Sequence, residues 1–268
     1  MKQALKILSL GLLALASPAL AGGGNTPIAD IEVLDGGITA RGTYMGALRV
    51  TLQEGWKTYW RSPGDAGIPP SFYWRGSRNV GALSITWPTP EVFMTSGYQT
   101  IGYHNLLVLP IEITPEVAGQ PVVLSGQMNL GLCKDVCVPS ELSFDHQLNL
   151  QAGRNPAIAA AMANRPYTAK EAGVKSAKCS LSPTKYGMQV EAHISMPSAG
   201  GTEVAVIESG TPMAYGGATS TQRSGNTLVA TTEFLPVTKG GFALDRSKLR
   251  ITVLGSRHAV DIRGCSAG

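Results

Sequence analysis

The sequence predicts an all-β chain, with two β-sandwich domains joined by a short helical linker. Three observations carry this reading. Short β-branched and apolar runs recur in both halves, punctuated by Gly- and Pro-containing turns. Glycine (32) and proline (17) are abundant among the 268 residues, while charged residues make up only 15%. One central stretch switches to alanine-rich, helix-forming character. The hydrophobic share of 43% is enough for a core, and the length suits one large domain or two small ones. A helical bundle, a coiled coil, a disordered tail and a nucleic-acid-binding arm all fit poorly, since no run of Lys or Arg occurs.

Residues 1–21 read as an export signal. Lys2 and Lys6 form a basic start, Ile7 to Ala16 an apolar segment, and Ala19-Leu20-Ala21 a small-x-small cleavage site. The apolar run is too short to span about 30 Å of hydrocarbon, and Pro18 interrupts it. The expectation is a cleaved, exported protein of a Gram-negative periplasm with no stable membrane insertion. Charge is uneven beyond the signal: residues 22–150 carry 7 Lys/Arg against 11 Asp/Glu, and residues 151–268 carry 13 against 7. The net charges are therefore −4 and +6.

Within 22–150 the strand signals are Ala47–Gln53, Ser71–Trp74, Ala82–Trp87, Leu106–Ile113, Val122–Leu130 and Glu141–Leu150. Turn-formers such as Ser62-Pro63-Gly64-Asp65 and Pro88-Thr89-Pro90 separate them, which reads as an antiparallel sandwich. The last run alternates, with Leu142, Phe144, Leu148 and Leu150 on one face. His146 is in phase with that apolar face and reads as a core histidine. His193 falls on a polar face. Trp56, Trp60, Trp74 and Trp87 all lie in this half and read as core.

Residues 151–173 form the linker. Asn155 before Pro156 gives a capped helix start, and Thr168 with Glu171 has capping-box spacing. Residues 174–268 return to strands at Gln189–Ser195, Val204–Ile207, Leu228–Phe234, Leu249–Leu254 and Ala259–Ile262. About 95 residues with six or so strands is the size of one immunoglobulin-like sandwich.

Four cysteines allow three pairings. The domain division favours Cys133 with Cys137 and Cys179 with Cys265. Closing the long loop stabilises by about 4.6 kcal/mol on the chain-entropy model, and closing the C-x3-C loop by only about 2 kcal/mol. That gap corresponds to some 55 mV in a two-electron potential. Cys179–Cys265 thus reads as structural and Cys133–Cys137 as reducible. Two alternatives remain open for the short pair: a structural disulfide in a hairpin, and a Cu(I) site, since soft thiolates select that ion. A zinc site would want four N/S ligands, and the chain offers two cysteines plus stray histidines.

The segments Gly55-Trp-Lys-Thr-Tyr-Trp-Arg-Ser-Pro-Gly-Asp-Ala-Gly-Ile-Pro-Pro70, Trp87-Pro88, Gly102-Tyr103, Leu107-Val-Leu-Pro-Ile111 and Cys133 to Pro139 occur in order. Together they resemble the amino-terminal (alpha) domain of the DsbD family of periplasmic thiol–disulfide interchange proteins, closest to its ScsB-like branch, over about residues 28–150. The resemblance implies an immunoglobulin-like domain whose cysteine pair shuttles electrons without a bound cofactor or metal. It implies a membrane-embedded thiol reductase (DsbD-beta or CcdA-like) as donor, and oxidised periplasmic proteins of thioredoxin-like type as acceptors. Family members commonly carry a polytopic membrane domain as well. These residues include none, so the expectation is either a donor that is a separate protein or a different role.

By the same resemblance Cys137, followed by Val138-Pro139, is the attacking thiol and Cys133 the resolving one. The family covers its pair with an aromatic-bearing loop. Tyr98 is the first candidate for that cap and Phe93 the second, while Tyr103 either lines the site or supports its strand. The reading is therefore a periplasmic protein-disulfide reductase subunit. Its rival is a Cu(I)-binding copper-tolerance protein using the same cysteines, and a third reading is an assembly module with purely structural disulfides.

Overall fold

A computed structural model describes residues 27–95 and 97–268. The expected export signal lies outside the described residues. In chain order the first half contributes β1 (Ala29–Ile38), β2 (Tyr44–Leu52), β3 (Lys57–Gly64), β4 (Ser71–Tyr73), β5 (Ala82–Ile85), β6 (Glu91–Thr95), β7 (Tyr98–His104), β8 (Leu106–Thr114), β9 (Val123–Cys133) and β10 (Cys137–Gln147). These form two antiparallel sheets, ordered β1-β2-β8-β5 and β10-β9-β3-β7-β6, with β4 alongside β9. Leu48, Val50, Trp60, Ile101, Leu109, Ile111, Leu124 and Met128 fill the space between them. Trp56, Trp74 and Trp87 pack against that core, as their clustering suggested.

The linker helix α1 (Pro156–Ala163) starts where expected. Asn155 caps it, its side chain accepting from the backbone N–H groups of Ala157 and Ile158. Ile158 and Ala161 seat it against Leu34, Ala47 and Val108 of the first sandwich, so it is a packed connector. The Thr168–Glu171 box also forms: the Thr168 N–H donates to Glu171 at 2.8 Å and the Glu171 N–H to Thr168 Oγ1 at 3.3 Å.

The second half contributes β11 (Tyr167–Thr168), β12 (Ser176–Pro183), β13 (Met188–Ser195), β14 (Val204–Glu208), β15 (Ala214–Gly216), β16 (Ser220–Ser224), β17 (Thr227–Pro236), β18 (Arg250–Leu254), β19 (Ala259–Arg263) and β20 (Ser266–Ala267). Its sheets are β11-β19-β18-β14 and β15-β17-β13-β12-β20, with β16 beside β17. Cys179 and Cys265 are bonded with Cα atoms 5.8 Å apart, tying β12 to the chain just before β20. The fold is therefore two immunoglobulin-like sandwiches joined through a short helix. β11 falls inside the stretch expected as linker, because its two residues add to β19 of the second sandwich.

The sandwiches share a built contact. Val206, Leu254 and Ala259 of the second join the first core. Arg61, two residues beyond Tyr59 on β3, donates to Glu208 through Nε at 3.0 Å and Nη2 at 2.9 Å, and to Thr252 Oγ1 at 3.2 Å. Its guanidinium lies 3.9 Å from the Trp60 ring centroid. Burial lowers the Arg61 pKa, and the Glu208 carboxylate opposes that shift.

Candidate functional site

β9 and β10 form a hairpin closed by Lys134-Asp135-Val136, and the register sets Cys133 directly opposite Cys137. The turn is held by the Lys134 N–H donating to Val136 O at 3.2 Å. Facing residues at the end of an antiparallel pair have Cβ atoms close enough to bridge. The two sulfurs are bonded, with Cα atoms 4.2 Å apart. The pair is asymmetric in access, since Cys133 is 1% exposed while Cys137 lies on the surface.

A side chain that sequence reasoning did not single out completes the site. Tyr59 Oη lies 2.8 Å from Cys133 Sγ and 3.2 Å from Cys137 Sγ. Tyr59 is itself buried. Its ring lies between two glycines: a Cβ on Gly67 would meet Tyr59 Cδ1 at 2.7 Å, and one on Gly131 would meet Cδ2 at 3.1 Å. Those glycines let the loop after β3 and the β9 backbone approach the ring. Burial raises the Tyr59 pKa, so the phenol stays protonated and remains a donor. Tyr59 lies in the Gly55–Pro70 segment that carries the family resemblance, but no alternation of apolar and polar residues marks it there.

Pairing places the other candidates. Tyr59 faces Gly102 and Thr58 faces Tyr103. Tyr103 is therefore on the inner face with Thr58, turned away from the disulfide. Buried at 6% exposure, it donates its hydroxyl to Pro88 O at 2.9 Å, which is the strand-supporting role. Burial holds its pKa well above the usual phenol value. Phe93 faces Thr100 and Tyr98 faces Thr95, which puts Phe93 and Tyr98 on the outer face shared with Tyr59 and Cys133. Phe93 packs edge-on against His104 at 4.4 Å, with Lys57 Nζ 5.1 Å from its ring centroid. Lys57 is the β3 residue paired with Cys133, and burial lowers its pKa. Tyr98 is 57% exposed at the start of β7. Asp65 anchors this hairpin to the loop over Tyr59: its N–H donates to Gln99 O at 2.8 Å and its carboxylate accepts from the Gln99 N–H at 2.9 Å.

His146 is half-buried and bonds the Asp35 carboxylate at 3.0 and 3.1 Å, far along β10 from the cysteines. His193 is exposed beside Glu191. Among the described residues no three His, Cys, Asp or Glu side chains gather as metal ligands. A soft cation at the opened cysteine pair would thus have two thiolates and the Tyr59 hydroxyl as nearest donors. The arrangement suits thiol–disulfide exchange, with one cysteine on the surface, the other buried, and a hydroxyl within hydrogen-bond distance of both sulfurs.

Residues 35–149 match the family model for the thiol:disulfide interchange protein DsbD, N-terminal. No curated protein matches. Among solved structures, the crystal structure of the N-terminal periplasmic domain of ScsB from Proteus mirabilis is similar, with a TM-score of 0.64 and 23% identity. The likeness covers 90% of this chain and 92% of that one, so the shared fold extends over both sandwiches.

Proposed function

We propose, taking residues 35–149 as a DsbD N-terminal domain of ScsB-like type, that this protein is a periplasmic carrier of reducing equivalents that works through Cys133 and Cys137. The observation that carries the reading is the unequal burial of the two cysteines, with Tyr59 within hydrogen-bond distance of both sulfurs. In the receiving step a donor thiolate attacks Cys137 Sγ, a donor–Cys137 disulfide forms, and the electron pair of the broken bond goes to Cys133. A second donor thiolate then closes the donor's own disulfide and releases the Cys137 thiolate. In the delivering step the Cys137 thiolate attacks a partner disulfide. Cys133 then attacks Cys137 Sγ and expels the partner as a dithiol.

Tyr59 assists wherever charge sits on Cys133, because a hydrogen bond to an ionised group is the stronger kind. Phe93 and Tyr98 act as the cap that limits access. The donor is a membrane-embedded thiol reductase, and the acceptors are oxidised periplasmic proteins of thioredoxin-like type. Among the described residues no helix is long and apolar enough to cross a membrane.

The test is trapping. Cys133→Ala leaves Cys137 free to attack with nothing to resolve the product, so a mixed disulfide with a partner accumulates, while Cys137→Ala traps much less. If neither variant traps a partner and the reduced wild type binds one Cu(I) tightly, the copper reading replaces this one.

A further inference from the structure

A groove of about 740 Å³ opens on the same outer sheet face as the disulfide. Its floor is β9 at Gln127 and Asn129, one wall is Tyr73 and Arg75 beyond β4, and the other is Glu141 and Asp145 on β10. The register makes the groove continuous with the redox pair. Cys133 faces Cys137, Gly131 faces Pro139, and Asn129 faces Glu141, all pointing the same way. Between the disulfide and the groove, Ile68 lies over Gly131, where an added Cβ would meet its Cβ at 2.8 Å. Two strand repeats separate Cys133 from Asn129, about 13 Å at 3.3 Å per residue.

Two features of the groove ask for an occupant. Glu141 and Asp145 put two carboxylates along one wall, with Gln127 Nε2 donating to Glu141 at 2.9 Å. The Arg75 guanidinium stands on the opposite wall.

We propose that this groove is the docking track for an extended, cysteine-bearing segment of a partner protein, with a basic side chain four residues from that cysteine lying against Glu141. The inference rests on the carrier reading and deepens it. The carbonyls of the segment face Arg75, and the Ile68–Pro139 saddle carries it to Cys137. The register of β9 and β10, not a free choice of pose, sets the four-residue spacing.

The experiment uses the full chain carrying Cys133→Ala and short synthetic peptides whose single cysteine is activated as a thiopyridine disulfide. Lysine or glutamate stands four residues before or after that cysteine. The Cys137 thiolate attacks the peptide sulfur, a Cys137–peptide disulfide forms, and the electron pair of the broken bond leaves on thiopyridine, whose absorbance gives the rate. A lysine peptide is expected to react up to about fivefold faster than its glutamate counterpart at low salt, and the preference fades at high salt. Glu141→Lys reverses the order, while 2,2′-dithiodipyridine, which needs no track, reacts at the same rate with both proteins. Equal rates for all peptides, or an order that Glu141→Lys leaves unchanged, overturn the inference alone. Failure of Cys137 to exchange with any reagent overturns the carrier reading and the inference together.

Discussion

Replacing Tyr59 with phenylalanine removes one hydroxyl and little else. The ring keeps its place between Gly67 and Gly131, so the substitution isolates the bonds to Cys133 and Cys137 at 2.8 and 3.2 Å. In the oxidised protein these are bonds to neutral sulfur, worth about 0.5–1.5 kcal/mol net. Where the reduced pair carries a thiolate on Cys133, the acceptor is charged, and such bonds contribute about 1.5–3 kcal/mol. The hydroxyl therefore favours the reduced form by about 1–1.5 kcal/mol, which is about 20–30 mV for two electrons. Tyr59→Phe should lower the midpoint potential by that amount and raise the Cys133 thiol pKa by about one unit. Equilibration in glutathione buffers, with the thiol and disulfide forms counted by mass spectrometry after alkylation, reads the potential. An unchanged or higher potential in a folded Tyr59→Phe protein would refute the argument that this hydroxyl acts on the thiolate.

Other outcomes follow from the same structure. Tyr98→Ala should leave the unfolding midpoint unchanged and speed alkylation of reduced Cys137, since an exposed cap controls access more than stability; equal rates would remove Tyr98 from that role. Arg61→Met strands Glu208 against the second sandwich and should cost about 2 kcal/mol, less than a fully buried pair because both side chains keep some exposure; denaturant unfolding measures it. The carboxylates of Glu203 and Asp261 have lowered pKa values despite burial, through hydrogen bonds and charge from Arg223 and from Arg250 with Arg263. Groups depressed on folding contribute stability above their unfolded pKa and lose it as pH falls through the folded value. Unfolding monitored against pH should therefore show stability falling below about pH 4, and Asp261→Asn should flatten that fall.

Much of the fold was legible in the sequence. β13, with one buried face, alternates in the chain and was read within a residue of its ends, whereas the alternating run read as Glu141–Leu150 is strand over Cys137–Gln147. β3 was missed because both of its faces are covered. Thr58 and Trp60 point into the core, while Lys57 and Tyr59 are buried beneath the β6–β7 hairpin and the loop over Gly67. Its pattern therefore shows no alternation of apolar and polar residues. Residues 93–100 read as a loop, whereas β6 and β7 pair there, Phe93 opposite Thr100 and Thr95 opposite Tyr98. The cysteine pairing came from spacing and domain division. Tyr59 did not, because the contact joins residues 74 and 78 positions apart. Tyr103 was ambiguous for the opposite reason: one step of register along β7 separates the site face from the core face.

The central claim is that Cys133–Cys137 is a working redox pair and Cys179–Cys265 a structural one. Titrating the native protein across glutathione potentials and mapping the alkylated peptides tests this most directly. The account predicts that Cys133 and Cys137 become labelled together, reversibly and in a two-electron transition, while Cys179 and Cys265 stay closed and the protein stays folded. Labelling of all four cysteines in a single transition that coincides with unfolding would contradict it.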